Sequence, residues 1–239
     1  MKKRKVTAMI LCAMTALALA ACGSGSGSGQ AAPALNDSVS EDAGSDSSSA
    51  DSAASGTGKS TILIAYFSVP ESDGTDAVAG ASRVVTEDGQ ILGNNEYIAQ
   101  LIRQETGGDL FAIETVQEYP GSHDALLDFA YNEKAENARP KLATQIENPD
   151  AYDTIFLGYP NWNADLPMPL YTFLEEYDFS GKMIIPFTTH GGSGFSQTIS
   201  TIEELQPNAE VVQDGLSISR NSVPQAQSDV ADWVNGLNL

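Results

Sequence analysis

Cysteine is almost missing from this chain. Its 239 residues hold two, Cys12 and Cys22, and both fall within the first 22 positions. The remainder therefore uses no disulfide, no thiolate chemistry and no cysteine metal site. Basic residues are also scarce: 12 lysines and arginines stand against 32 acids, for a formal charge of −20. Four of those cations are Lys2, Lys3, Arg4 and Lys5, so a chain without its first 21 residues carries −24. That balance disfavours nucleic acid and anionic membrane surfaces as partners. It suits a basic protein or a small ligand. Large apolar side chains are nearly absent from Gly23 to Gly58, a Gly-, Ser-, Asp- and Ala-rich stretch. Such a stretch cannot repay the entropy of ordering, and it is expected to be a flexible tether over 22–58.

What precedes the tether has an address rather than a fold. A basic start is followed by the mostly apolar run Val6–Leu19 and then Leu19-Ala20-Ala21-Cys22. The run is short for a bilayer span. It resembles a bacterial lipoprotein signal over 1–21, which implies acylation of Cys22 and attachment to the outer face of the cytoplasmic membrane. Ala53 to Ser60 ends in Gly58-Lys59-Ser60 and fits a loose nucleotide-loop pattern. That loop needs a strand before it and a helix behind it. Here the tether comes before and an apolar run after, so the segment is set aside.

Residues 59–239 read as one α/β domain. Thr61–Phe67 is a short apolar run suited to a strand covered on both faces. Ser68 follows it. Val69–Leu92 is long and polar, with a small hairpin expected around Asp88-Gly89; a loop of this length is usually functional. Asn94 or Asn95 is placed to cap a helix whose apolar face is Tyr97, Ile98, Leu101 and Ile102, and Gly107-Gly108 ends it. Asp109–Thr115 is a second strand, and about His123 to Asn137 a second helix, with His123 on its surface and given no role. Ile155-Phe156-Leu157 begins a third strand, expected to stop at Gly158, and Met168–Tyr177 a short helix. Lys182–Thr189 is a fourth strand and Ser196–Leu205 a helix. Glu210–Val212 is a fifth strand, continued after Gly215, before a last helix over Ser222–Leu237. Strands alternating with helices give a parallel sheet with right-handed crossovers. The pattern alone leaves the strand order open among doubly wound arrangements.

Three strand ends carry unusual loops, and in such sheets ligands bind at those ends. The first offers Ser68 and Gly93-Asn94-Asn95 at a helix start, where amides and small polar groups hold phosphate without lysine. The second is Tyr159-Pro160-Asn161-Trp162-Asn163: two aromatics that can stack on a flat heterocycle, among amides that can bond its edge. The third, Thr189-His190-Gly191-Gly192, lets backbone N–H groups approach a ligand closely. A phosphate cradle, an aromatic wall and an amide-rich edge together describe a flavin mononucleotide (FMN) site. No metal-ligating cluster is expected.

The quoted stretches resemble the flavodoxin family. Tyr66-Phe67-Ser68 with GNNEYIAQLI is similar to its phosphate loop and first helix. GYPNWNADLPMPLYTFLEEYDFSGK, PFTTHGGSGFS and YPGSHDALLDFAYNEKAENARP are similar to a bacterial subfamily of it, over about Thr61 to Leu239. The resemblance implies a five-stranded sheet in the order 2-1-3-4-5 and noncovalent FMN. It implies Ser68 and Gly93–Asn95 at the phosphate, with Pro160–Asn163 and Thr189–Gly192 flanking the ring system. It also implies electron transfer with a redox partner protein or a small-molecule acceptor. Two alternatives stay open: an FMN-dependent NAD(P)H:quinone or nitro-group reductase, and a surface binding module without FMN. More than twenty residues separate Ser68 from Gly93, and that segment is expected to cover the ligand as a lid or to replace the phosphate cradle.

Overall fold

The computed structural model describes residues 61–72, 82–237 and 239. Cys22, the tether, the Ala53–Ser60 pattern and the middle of the long Val69–Leu92 segment lie outside the described residues. The central sheet is built from β1 (Ile62–Tyr66), β4 (Asp109–Ala112), β5 (Thr154–Pro160), β6 (Met183–His190), and the two short pieces β7 (Glu210–Val211) and β8 (Leu216–Ser219). All its pairings are parallel, in the order β4-β1-β5-β6, with β7 and then β8 both paired to β6. Counting β7 and β8 as one interrupted strand, this is the order 2-1-3-4-5. Between β7 and β8, Gly215 passes so close to β6 that a Cβ there would stand 2.4 Å from the Pro186 carbonyl.

Alternation of side chains divides the core into two halves. Leu63, Ala65, Phe67, Ile155, Leu157 and Tyr159 face one side and meet α3 (Met168–Glu176) and α4 (Thr198–Leu205) through Leu170, Phe173 and Ile202. Ile64, Phe156, Ile185 and Phe187 face the other and meet α1 (Asn94–Thr106) and α5 (Gln227–Gly236) through Ile98, Ile102, Val230 and Val234. Full burial of side chains such as Phe156 stabilises the fold by roughly 1.5–3 kcal/mol each.

The expected hairpin exists as β2 (Arg83–Val85) and β3 (Ile91–Gly93), paired antiparallel around Gly89, whose φ of +83° suits a residue without a side chain. Three expectations need correction. β5 does not stop at Gly158 but runs to Pro160, in register with β6 as far as Thr189. Gly158 is instead a seat for Phe187, whose ring lies 2.1 Å from where a Cβ would be. Neither Asn94 nor Asn95 caps α1. Gly93 is the N-cap, and both asparagines lie buried in the first turn. The last helix is shorter than expected, with a single 3-10 turn at Val223–Gln225 ahead of α5.

Candidate functional site

The carboxyl ends of β1, β5 and β6 open on one cleft. Ser68, Asn94, Asn95, Pro160, Asn161, Trp162, Thr189, His190 and Gly191 all line it. The three loops read from the sequence thus converge. Gly93, Asn163 and Gly192 are outside the lining. Gly93 is buried behind Ser68, with the Ser68 Oγ 2.0 Å from where its Cβ would be. Asn163 and Gly192 are exposed in the tips of their loops.

The loops are bonded to one another. Asn95 Nδ2 donates to Thr189 Oγ1 at 2.9 Å, joining the start of α1 to the end of β6. Asn161 N–H donates to the Thr189 carbonyl at 2.9 Å, and its Nδ2 donates to the Gly194 carbonyl at 2.7 Å and Ser196 Oγ at 3.1 Å. Each of these asparagines keeps a buried Oδ1 with no hydrogen-bond partner among the described residues. Buried acceptors left open in this way are costly unless a ligand donor meets them.

Trp162 is half-buried and forms the wall of the cleft while belonging to an aromatic cluster. Phe67 meets it edge-on at 5.5 Å and Tyr119 at 5.7 Å. The backbone of Trp162 exchanges both hydrogen bonds with Asp165, at 3.1 and 3.0 Å, across a turn in which Asn163 and Ala164 have φ of +53° and +60°. Lys134 of α2 (His123–Ala135) pins that turn, reaching Asp165 Oδ2 at 3.0 Å and the Asn163 carbonyl at 2.9 Å. Behind it, the Tyr119 hydroxyl donates to both carboxylate oxygens of Glu133, at 3.0 and 2.9 Å. Burial pushes the Glu133 carboxyl above the usual carboxylate range. Burial, then the neighbouring Glu133, holds the Tyr119 hydroxyl protonated. Tyr159 was paired with Trp162 as a stacking surface, and this is corrected. It is fully buried in the core with its hydroxyl bonded to Thr198 Oγ1 at 2.9 Å, because in β5 it faces opposite to its neighbours.

His123 also needs correction. It lines the cleft together with Leu126, Leu127 and Ala130 of α2. Those positions share the i, i+3, i+4, i+7 spacing of one helix face, a signal present in the sequence. Arg220 enters the cleft too, beside Gly191, and its N–H donates to the His190 carbonyl at 2.9 Å. Its position follows from the β8 register, in which Ser219 lies opposite His190. Glu71 and Ser82 complete the lining from the two ends of the long segment. Nothing in the composition of that segment marked them out.

A family model described as Flavodoxin matches residues 89–237. The chain belongs to the flavodoxin family. Its architecture is shared with solved structures of low sequence identity. A protein of Bacteroides uniformis described as a flavoprotein is 22% identical, with a TM-score of 0.57, over 74% of this chain and 99% of its own. Another from Bacteroides eggerthii is 23% identical, with a TM-score of 0.54, over 74% and 98%. A Lactobacillus acidophilus flavoprotein solved in complex with FMN is 18% identical, with a TM-score of 0.47, over 69% and 96%. No curated protein matches the chain. FMN is the cofactor of the flavodoxin family, and the cleft lies where a doubly wound sheet binds its ligand.

Proposed function

We propose that this flavodoxin binds FMN noncovalently in the cleft and acts as an electron-transfer protein, tethered by a lipid on Cys22 to the outer face of the cytoplasmic membrane. The observation that carries the reading is the convergence of Asn95, Asn161, Trp162 and Gly191 on one cleft at the ends of three neighbouring strands. The residues fit the ring of a flavin. Trp162 and the Leu126–Ala130 face of α2 supply apolar surface, and the buried Oδ1 atoms of Asn95 and Asn161 accept from ring N–H or ribityl O–H groups.

When bound, FMN supplies one- or two-electron redox chemistry. The protein's part is to hold the ring against Trp162, to exclude water with the α2 face and to set the local charge. With FMN bound, surrounding acids would disfavour added negative charge at the ring, whereas Arg220 beside Gly191 would favour it. The chain's acidic balance favours a basic redox partner.

The test is anaerobic reduction of the flavin-loaded whole chain, followed by assay with NADH and NADPH. A carrier accepts electrons stoichiometrically from a chemical reductant and shows no sustained turnover with either nucleotide. Sustained turnover with quinone or a nitro compound would establish the reductase alternative. For the anchor, fatty-acid labelling of the whole chain should be lost in Cys22→Ser; label retained in that variant would contradict it.

A further inference from the structure

The loop after β6 fixes which way one side chain of the cleft can bond. Asn161 closes the β5 end, and its amide nitrogen donates to the Gly194 carbonyl at 2.7 Å and to Ser196 Oγ at 3.1 Å. Neither partner donates back. A carbonyl has no hydrogen, and Ser196 Oγ gives its own to the Ser193 carbonyl at 3.2 Å. Turning the Asn161 amide end for end would set oxygen against oxygen, so Oδ1 is held as an acceptor. That atom is buried without a partner among the described residues, and Asn161 lines the cleft. The turn that holds it carries Gly194 at a φ of +60° and Ser196 at +52°, a conformation uncommon for a residue with a side chain. Thr198 anchors the turn from below. Its N–H and hydroxyl donate to the Phe195 carbonyl at 3.1 and 2.7 Å, and its Oγ1 accepts from the buried Tyr159 hydroxyl at 2.9 Å. Strained backbone of this kind collects at ligand clamps.

We propose that Asn161 is a specificity-determining residue that accepts a hydrogen bond from the imide N–H of the flavin ring, and that Gly194 and Ser196 are the residues that position it. The inference rests on the flavin reading above. The oxidised flavin ring has a single N–H, in its imide. Asn161 stands beside Trp162, the wall for the flat ring, so the donor it meets belongs to the ring rather than to the ribityl chain. A buried acceptor rejects a ligand that lacks the matching donor, because it is then left unpaired. Stacking on Trp162 cannot make that distinction, since any flat aromatic satisfies it.

The test uses the whole chain stripped of flavin and titrated separately with FMN and with FMN methylated at the imide nitrogen, following flavin fluorescence. The wild type should bind FMN at least about tenfold more tightly than the methylated form. Asn161→Ala should close most of that gap by weakening FMN alone. Ser196→Gly, which suits the positive φ and removes one of the two acceptors, should close it in part. A wild-type ratio near one, or a gap that survives intact in Asn161→Ala, overturns the inference and leaves flavin binding standing. Should Asn161→Ala fail to fold, Ser196→Gly decides, and an unchanged gap there overturns the inference. If the wild type binds neither flavin, the flavin reading falls and this inference with it.

Discussion

The two ends of the cleft are built on opposite plans. At the Trp162 end the protein spends its bonds on holding a surface still. Lys134 pins the turn, Phe67 and Tyr119 pack the indole from behind, and Glu133 anchors Tyr119. The ligand-facing atoms are left open, including Asn161 Oδ1. At the α1 end the protein spends its bonds on itself. Ser82 takes the Asn94 N–H, Glu96 takes the Gly93 N–H, and Glu71 is buried in the lining. One end is prepared for a flat aromatic ligand, and the other is partly filled by the chain. A long insertion can thus alter one half of a site while the sheet keeps the other half constant.

The largest effect should come from forcing the α1 end apart. Gly93→Ala puts a methyl group 2.0 Å from Ser68 Oγ and 2.8 Å from its Cβ, although the backbone φ of −68° suits alanine. Overpacking of this kind costs about 1–3 kcal/mol, read as roughly 2–4 °C of melting temperature per kcal/mol in a domain of this size. Ser68→Gly in the same chain should recover most of it. A Gly93→Ala protein that melts like the wild type would mean that β1 and α1 do not meet there.

Trp162→Ala removes the wall at the other end. FMN affinity should fall about tenfold, in keeping with about 0.5–1.5 kcal/mol for an aromatic pair beyond its area, and riboflavin affinity should fall by the same factor. Unequal losses would show that the two ends are not independent.

A smaller effect is expected at His190. Its Nδ1 accepts from the Gly192 N–H at 2.9 Å, and burial lowers its pKa from 6.5. A histidine whose folded pKa lies below its unfolded value contributes stability that is present above the unfolded pKa and lost as pH falls through the folded one. The wild type should therefore be more stable than His190→Asn at pH 7.5, and the gap in melting temperature should shrink by pH 5. A gap that widens on acidification would reverse the sign.

Lys134→Met should cost least. The Lys134–Asp165 pair is partly exposed, and such pairs contribute about 0–1 kcal/mol. A loss above that range in a denaturant titration would show that the Asn163–Ala164 turn depends on this one cation.

Much of the sheet was legible because each strand announces itself. Ile62–Tyr66, Ile155–Leu157 and Met183–Thr189 are short apolar runs ended by polar loops, and parallel strands buried on both faces have to look that way. The convergence of the Ser68, Trp162 and Gly191 loops followed from the doubly wound strand order that the family resemblance implies. Tyr159 was misjudged because alternation was not carried past Gly158. One more residue of strand sends that ring into the core. Arg220 was missed for a different reason: its place depends on how β8 sits against the sheet, a tertiary fact that composition does not carry, whereas the helix-face spacing of His123 with Leu126, Leu127 and Ala130 was open to reading. Glu71 is the extreme case. Its neighbours Pro70 and Ser72 are ordinary loop residues, and its N–H is met by Ser82 from the far end of the segment.

The most direct measurement is the visible absorption and flavin fluorescence of the purified whole chain with added FMN. The account predicts a yellow protein that binds one FMN and quenches its fluorescence, with quenching much reduced in Trp162→Ala. A colourless protein that leaves FMN fluorescence unchanged would contradict it, and would mean that the chain's own loop has taken the ligand's place.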